Sequence, residues 1–276
     1  MEQRKRGKWW YHLVLGAFAL FSVFPFLWIL SASVQPKDVI TSDKMGFFPA
    51  AVSLENYRAL LTQTPFLRWL ANSLFVSAVA TGIGLFFAAT AGFAFSQFRF
   101  PGKKTGLFLF LCVQMFPGAV LLLPLFCLLS ALNLLDSYLG LIIAYCTISL
   151  PFCVWMLKGF FDTIPRSILE AAALDGLSPV ATFYRIVLPL SLPGIAVTAF
   201  FSFITAWNEF MFANTFLFDS DKMTIAVGLK TFLSEKQSFW ELLTPGAVLV
   251  TLPVLAFFIA AQKWLISGLT SGAVKE

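Results

Sequence analysis

A chain of 276 residues that is 59% apolar and 12% charged, with a mean hydropathy of +0.83, does not read as a water-soluble domain, which runs nearer half apolar and a quarter charged. Its 33 Phe and 8 Trp, set in long Leu/Ala/Val runs, mark an all-α polytopic membrane protein. The net charge of +5 is then a topology signal carried by loops; nucleic acid is not among the expected partners.

The N-terminus reads EQRKRGK, then Trp9-Trp10-Tyr11, then an apolar run to Ala32. At about 1.5 Å per residue this run is long enough to cross a hydrocarbon core of about 30 Å, so it is read as a retained first span and not as a cleaved signal peptide. Further spans are expected at about 70–95, 105–129, 138–157, 188–213 and 245–266. That makes six, in a single transmembrane domain over 1–276 with a long polar-capable loop at 158–187. With the N-terminus inside, inner segments hold twelve of the 19 Lys and Arg. The bias is strongest in short loops: Arg99, Lys103 and Lys104 fall in one, and none in the opposing 130–137. Both termini and the 158–187 loop are therefore expected on the cytoplasmic side. In the first outer loop Ser53 is placed to cap a short helix carrying Tyr57, Leu60 and Leu61. Pro25, Pro117, Pro124, Pro151, Pro193 and Pro253 punctuate the spans and predict bending.

Catalytic signatures are missing. Gly102-Lys103-Lys104-Thr105 resembles the tail of a Walker A loop, but position 97 is Gln where Gly is required. There is no GxSxG, HExxH or carboxylate pair within the spans, so no enzyme activity is expected. Cys112, Cys127, Cys146 and Cys153 lie in apolar runs without metal-site spacing and read as small packing residues. His12 has no second His and no Cys beside it.

The loop from Glu170 to Pro189 has helix starts and stops of its own. Pro165 suits a first helical turn, with Thr163 or Ile164 near the cap. Arg166 and Glu170 are spaced to meet on one helix face. Ala171, Ala172 and Ala173 favour helix and present a smooth surface. Gly176 is placed to stop the helix in a left-handed conformation, and Ser178-Pro179 begins a second helix as cap and N1. From the residues alone, a docking surface and a plain surface helix remain equally open.

Glu170-Ala171-Ala172, Gly176 three residues on, then Ile186-Val187-Leu188-Pro189 resembles the EAA motif of membrane subunits of binding-protein-dependent ABC importers. Gln114-Met115-Phe116-Pro117, Trp207-Asn208-Glu209-Phe210 and the tail from Gly268 to Lys275 resemble the carbohydrate-uptake branch, and within it the maltose-type permease subunit. The resemblance implies a type I ABC importer permease fold in a bacterial cytoplasmic (inner) membrane. It implies that Glu170, Ala171, Ala172, Ala173, Asp175, Gly176, Ile186, Leu188 and Pro189 couple to an ATPase. It also implies a second permease subunit, two ATP-binding subunits and an extracytoplasmic solute-binding protein. ATP and Mg would be bound by the partner ATPases, and no cofactor by this chain. The tail residues Gly272, Ala273, Val274 and Lys275 become a second candidate contact with the ATPases.

Asn72, Gln114, Asn208 and Glu209 are the candidate residues of a substrate path, since polar groups at membrane depth are costly and turn inward. For Asn72 and Gln114, helix–helix hydrogen bonding is the competing role. The expected cargo is an oligosaccharide of the maltose/maltodextrin kind, with glycerol phosphate or another small solute as alternatives. A rival reading, an ion-coupled secondary transporter, needs ionisable groups at mid-membrane, where Glu209 is the one candidate.

Overall fold

The structure is a computed structural model that describes residues 8–40, 46–49, 51–233 and 238–271, and the regular elements among them are all helical. In order they are α1 (Lys8–Ser33), α2 (Lys37–Ile40), α3 (Glu55–Gln63), α4 (Phe66–Gln97), α5 (Lys103–Met115), α6 (Gly118–Ala131), α7 (Tyr138–Asp162) and α8 (Arg166–Leu174). There follow α9 (Pro179–Leu190), α10 (Leu192–Trp207), α11 (Met211–Phe216), α12 (Ile225–Lys230) and α13 (Trp240–Ser271). Gly272, Ala273, Val274 and Lys275 lie outside the described residues.

Four helices, α1, α4, α7 and α13, are each long and apolar enough to cross a membrane unbroken. Two bent pairs, α5 with α6 at 102° and α9 with α10 at 79°, reach the same length and apolarity only when taken together. The continuous third span expected over 105–129 is thus two short helices. Phe116 is extended (φ −72°, ψ 128°), as a residue before proline prefers, and Pro117 has no N–H to continue the ladder. Pro25, Pro124 and Pro151 sit inside single helices. The fifth span also differs from 188–213. Its helix breaks at buried Ser191 between Pro189 and Pro193, and stops again at Asn208 before α11. The fourth runs on to Asp162, past the expected end at Leu157.

Contacts divide the chain into two units, 1–67 with 229–252 and 68–228 with 253–276. In the first, Ser53 does not occupy the cap position of α3, which is Leu54, but its hydroxyl accepts the Glu55 N–H at 3.2 Å. The Tyr57 and Ser33 hydroxyls are hydrogen-bonded at 2.7 Å, and buried Asn56 donates to the Gln35 carbonyl at 2.8 Å. Glu241, also buried, is paired with Lys37 at 2.8 Å. The most apolar stretch of α1 has nothing buried within the chain, as a helix that is apolar on every side requires of a membrane or a partner.

In the second unit α7 is the central helix and packs against α5, α6, α10 and α11. One apolar cluster gathers Leu129, Leu141, Tyr145, Phe212 and Phe216; the other gathers Phe93, Val154, Phe161, Phe183 and Val187. The start of α7 is fixed by Ser137, whose hydroxyl accepts the Gly140 N–H at 3.1 Å. Gly140 lies so close to the preceding loop that a Cβ there would sit 2.2 Å from the Leu134 carbonyl oxygen.

Candidate functional site: the Glu170–Pro189 stretch and the broken third helix

α8 has no side-chain cap. Pro165 occupies the cap position itself (φ −58°, ψ 134°), one residue earlier than its expected place in the first turn. Thr163 closes the preceding helix instead, donating to the Phe160 carbonyl at 2.7 Å. Arg166 and Glu170 share a helix face but do not pair; both line a cavity of ≈ 410 Å³ that also takes in Gln97, Arg99, Leu169 and Leu177. The C-terminus of α8 is a Schellman closure. The Leu177 N–H donates to the Ala172 carbonyl at 3.0 Å and the Gly176 N–H to Ala173 at 3.1 Å, with Gly176 left-handed at φ +81°. Ser178 then caps α9, accepting the Ala181 N–H at 3.2 Å, with Pro179 at the first helical position.

This geometry sorts the motif residues. Ala172 is buried, while Glu170, Ala171, Ala173, Leu174, Asp175 and Gly176 are exposed. Leu174 is 89% exposed, an extreme value for a leucine at the end of a regular helix. A Cβ on Gly176 would meet no atom of this chain within 4 Å. The surface is thus small, smooth and apolar-tipped, and it stands away from the body of the chain. Ile186 and Leu188 are half-buried and Pro189 is exposed. Ile186 lies within a wide π-type turn over Phe183–Val187, and Leu188 and Pro189 follow it; such a turn is a local departure common at functional sites.

The stretch is seated by residues that the motif does not contain. The Phe183 ring lies 4.9 Å from that of Phe93 and 6.3 Å from that of Phe161. Around them, Ser96 donates to Asp162 at 2.6 Å, Lys158 pairs with Asp162 at 2.5 Å, and the Gln97 amide donates to the Phe161 carbonyl at 3.2 Å. A Cβ on Gly92 would fall 3.1 Å from the Lys158 nitrogen, so α4 and α7 nearly touch here. In the sequence these are unremarkable Phe and Gly residues, and only their convergence shows what they do.

The four path candidates separate. Asn72 donates to the carbonyls of Asp221 and Met223, both at 2.9 Å, so its amide holds loop backbone. Glu209 accepts the N–H groups of Phe212 and Ala213 at 2.8 and 3.1 Å, so its carboxylate starts α11. Asn208 ends α10 and is exposed. Gln114 lines a cavity of ≈ 330 Å³ at the α5–α6 break, with Phe116, Thr147, Phe152, Phe201 and Thr205 among its neighbours.

The loop that Asn72 holds is clasped from the other side. Asp136, itself left-handed at φ 52°, accepts the N–H groups of Phe218 and Asp219 at 2.9 and 3.0 Å and pairs with Lys222 at 2.7 Å. These bonds hold the Asp136 carboxyl at about 2, well below its ordinary value, the Asp219 N–H contributing most. The same pairing pushes Lys222 up.

Comparison with known proteins agrees over most of the chain. The family described as "Binding-protein-dependent transport system inner membrane component" matches residues 80–271. The maltose/maltodextrin transport system permease protein MalG of Salmonella typhimurium is 36% identical over 284 residues, covering 96% of this chain and 94% of that protein. The trehalose transport system permease protein SugB of Mycobacterium tuberculosis is 33% identical over 258 residues, covering 92% and 93%. A crystal structure of a bacterial ABC transporter involved in import of the acidic polysaccharide alginate contains a chain of the same fold. Its TM-score is 0.81 at 22% identity, covering 96% of this chain and 98% of that one.

Proposed function

Because the chain belongs to the family of inner-membrane components of binding-protein-dependent transport systems, we propose that it is a permease subunit of an ATP-driven sugar importer. It crosses the bacterial inner membrane six times, counting each bent pair as one span, as a single permease domain with both termini in the cytoplasm. It forms the translocation path with a second, non-identical permease. It couples to two cytoplasmic ATPases through α8, and an extracytoplasmic binding protein delivers the sugar. ATP and Mg belong to the ATPases. An oligosaccharide of the maltodextrin type is the cargo expected first, in keeping with the relatives named for maltose and trehalose transport.

The observation that supports this reading most is the shape of the α8 surface. Its residues Ala171, Ala173 and Leu174 are exposed, and a left-handed Gly176 ends the helix with open space beside it. A helix of this kind suits a cleft on another protein, because small side chains permit close approach. Glu170 and Asp175 give it polar edges. The tail residues Gly272, Ala273, Val274 and Lys275 are proposed as a second contact on the ATPases.

The complex co-purified with its neighbours and reconstituted in vesicles provides the test. Uptake of labelled maltotriose, trehalose or maltose is expected to require ATP on the ATPase side and to survive collapse of proton and sodium gradients. Uptake that proceeds without ATP and stops when a gradient is collapsed would replace this reading with an ion-coupled one.

A further inference from the structure

The ≈ 410 Å³ cavity beside α8 holds two arginines, Arg99 and Arg166, with no ion-pair or hydrogen-bond partner among the described residues. The neighbouring cations are already engaged. Lys103 donates to the carbonyls of Ser96 and Phe98 at 3.2 and 3.0 Å, and Lys158 pairs with Asp162 at 2.5 Å. On α8 the lining residues Arg166, Leu169, Glu170 and Ala173 recur at helical spacing and so share one flank. Ala171 and Leu174, on the surface offered to a partner protein, do not line the cavity. Its walls are otherwise apolar, with Phe93, Leu177 and Pro179 among them. Phe98 lines it too and is exposed; its N–H donates to the Ala94 carbonyl at 3.1 Å, so it continues the last turn of α4. Ile83 and Phe87, also exposed, precede it at helical spacing, so an apolar stripe runs along α4 up to the two arginines.

We propose that this cavity seats the headgroup of an anionic phospholipid of the inner leaflet, with Arg99 and Arg166 on its phosphodiester and the Ile83–Phe87–Phe98 stripe against an acyl chain. The proposal goes beyond the importer reading: it needs α8 on the cytoplasmic side and is independent of the cargo. Guanidinium forks suit phosphate oxygens. Two guanidiniums and the Glu170 carboxylate together line the cavity, which leaves one positive charge in excess. That matches the single negative charge of a phosphodiester. A phosphate monoester, nearer −2 at neutral pH, would keep charge unmatched, and a choline headgroup would bring a third cation beside the two arginines. Hydroxyls on the headgroup also find acceptors. The Gln97 amide spends its protons on the Ser96 hydroxyl and the Phe161 carbonyl at 2.8 and 3.2 Å, which leaves its oxygen. Thr182 donates to the Ser178 carbonyl at 3.1 Å and keeps its lone pairs. A glycerol headgroup therefore fits best. The apolar walls and the stripe favour a lipid over a small hydrated anion, and the inner leaflet is where anionic lipid meets basic segments next to a span. Seated there, the lipid bridges the end of α4 to α8 and steadies the stance of α8.

The test uses the whole co-purified complex in phosphatidylcholine nanodiscs carrying a trace of phosphatidylglycerol with a photoreactive group near its glycerol backbone. Crosslinked peptides are mapped by mass spectrometry. Crosslinks are expected in 93–99 and 166–182. R99Q and R166Q are each expected to lower their yield about fivefold, and R166K, which keeps the charge, to lose less than R166Q. K104Q removes a charge from the same loop but outside the cavity, and is expected to leave the yield unchanged. In the parent complex, which needs no variant to fold, unlabelled phosphatidylglycerol is expected to compete, and inorganic phosphate or added phosphatidylcholine is not. A yield that survives in the R99Q/R166Q double variant overturns the proposal, as does a drop in K104Q equal to that in R166Q. Competition by inorganic phosphate at a concentration that matches phosphatidylglycerol replaces the lipid with a free anion. Crosslinks at the cavity that appear only after the ATPases are stripped off give the cavity to the ATPase and overturn the proposal too. A complex that crosslinks the lipid here yet takes up no sugar upholds it while overturning the importer reading, so the two fail separately.

Discussion

At the scale of single residues, Gly176 is held left-handed by two hydrogen bonds at the end of α8. A β-branched residue there pays roughly 1–2 kcal/mol of backbone strain, while asparagine tolerates the conformation better. Space around the position is open, so no clash inside the chain confuses the outcome. G176V is expected to insert normally yet lose most ATP-coupled uptake, and G176N to keep most of it; uptake and membrane content of the two variants, measured side by side, check this. Asp136 makes a prediction in pH. Its folded value is depressed to about 2, so its contribution is complete above its ordinary value near 3.8 and is lost as pH falls towards 2. Lys222 is raised, so its share is present below its ordinary 10.5 and disappears only as pH climbs through the raised value. The clasp on the 217–223 loop is thus whole from about pH 4 to pH 10. The protection of the loop amides against hydrogen exchange, taken relative to an unfolded chain at the same pH, is expected to hold across that range and to fall below pH 3. In D136N exchange is faster already at pH 7, because the ion pair with Lys222 is gone.

At the scale of elements, the α8–turn–α9 pair was legible in the sequence because each of its signals is local. A cap, an N1 proline and a C′ glycine act within a turn of where they stand, and Ser178, Pro179 and Gly176 all took their expected places. The misplacement of Pro165 by one residue is within the usual uncertainty of helix ends. Prolines were less legible. Pro25, Pro124 and Pro151 lie within continuous helices and Pro117 breaks one. The residue type was the same each time; what differed was whether the preceding residue stayed helical, which packing decides. Seats such as Phe93, Phe161 and Phe183 were invisible because they are far apart in the chain and nothing in their own neighbourhood marks them. The α7 start offers a sharp test of packing. In G140A the added methyl would meet backbone, the Leu134 carbonyl oxygen, and backbone cannot swing aside. An overpacking cost of about 1–3 kcal/mol is expected to lower the thermal midpoint of the purified protein, while G16A in α1, where nothing lies within 4 Å, leaves it unchanged.

At the scale of the whole molecule, apolar content and the long uncharged runs made the membrane class and the helical fold readable, since both depend on sums over many residues. The break angles were not readable in this way, nor was the division of the contacts into two units. The six-crossing topology remains to be measured. Reporter fusions are expected to be active outside at 133–136 and inside at 101–102, and a reporter after 176 is expected inside; an external reporter after 176 would separate the α8 surface from any cytoplasmic ATPase. The broken α5–α6 pair also bears on how the chain is made. α5 has 13 residues and α6 has 14, each about 20 Å of helix against a hydrocarbon core of about 30 Å. Neither half can leave the translocon as a self-sufficient segment. α7, which follows directly in the chain, packs against both halves, so the order of synthesis brings the supporting surface immediately after the elements that need it.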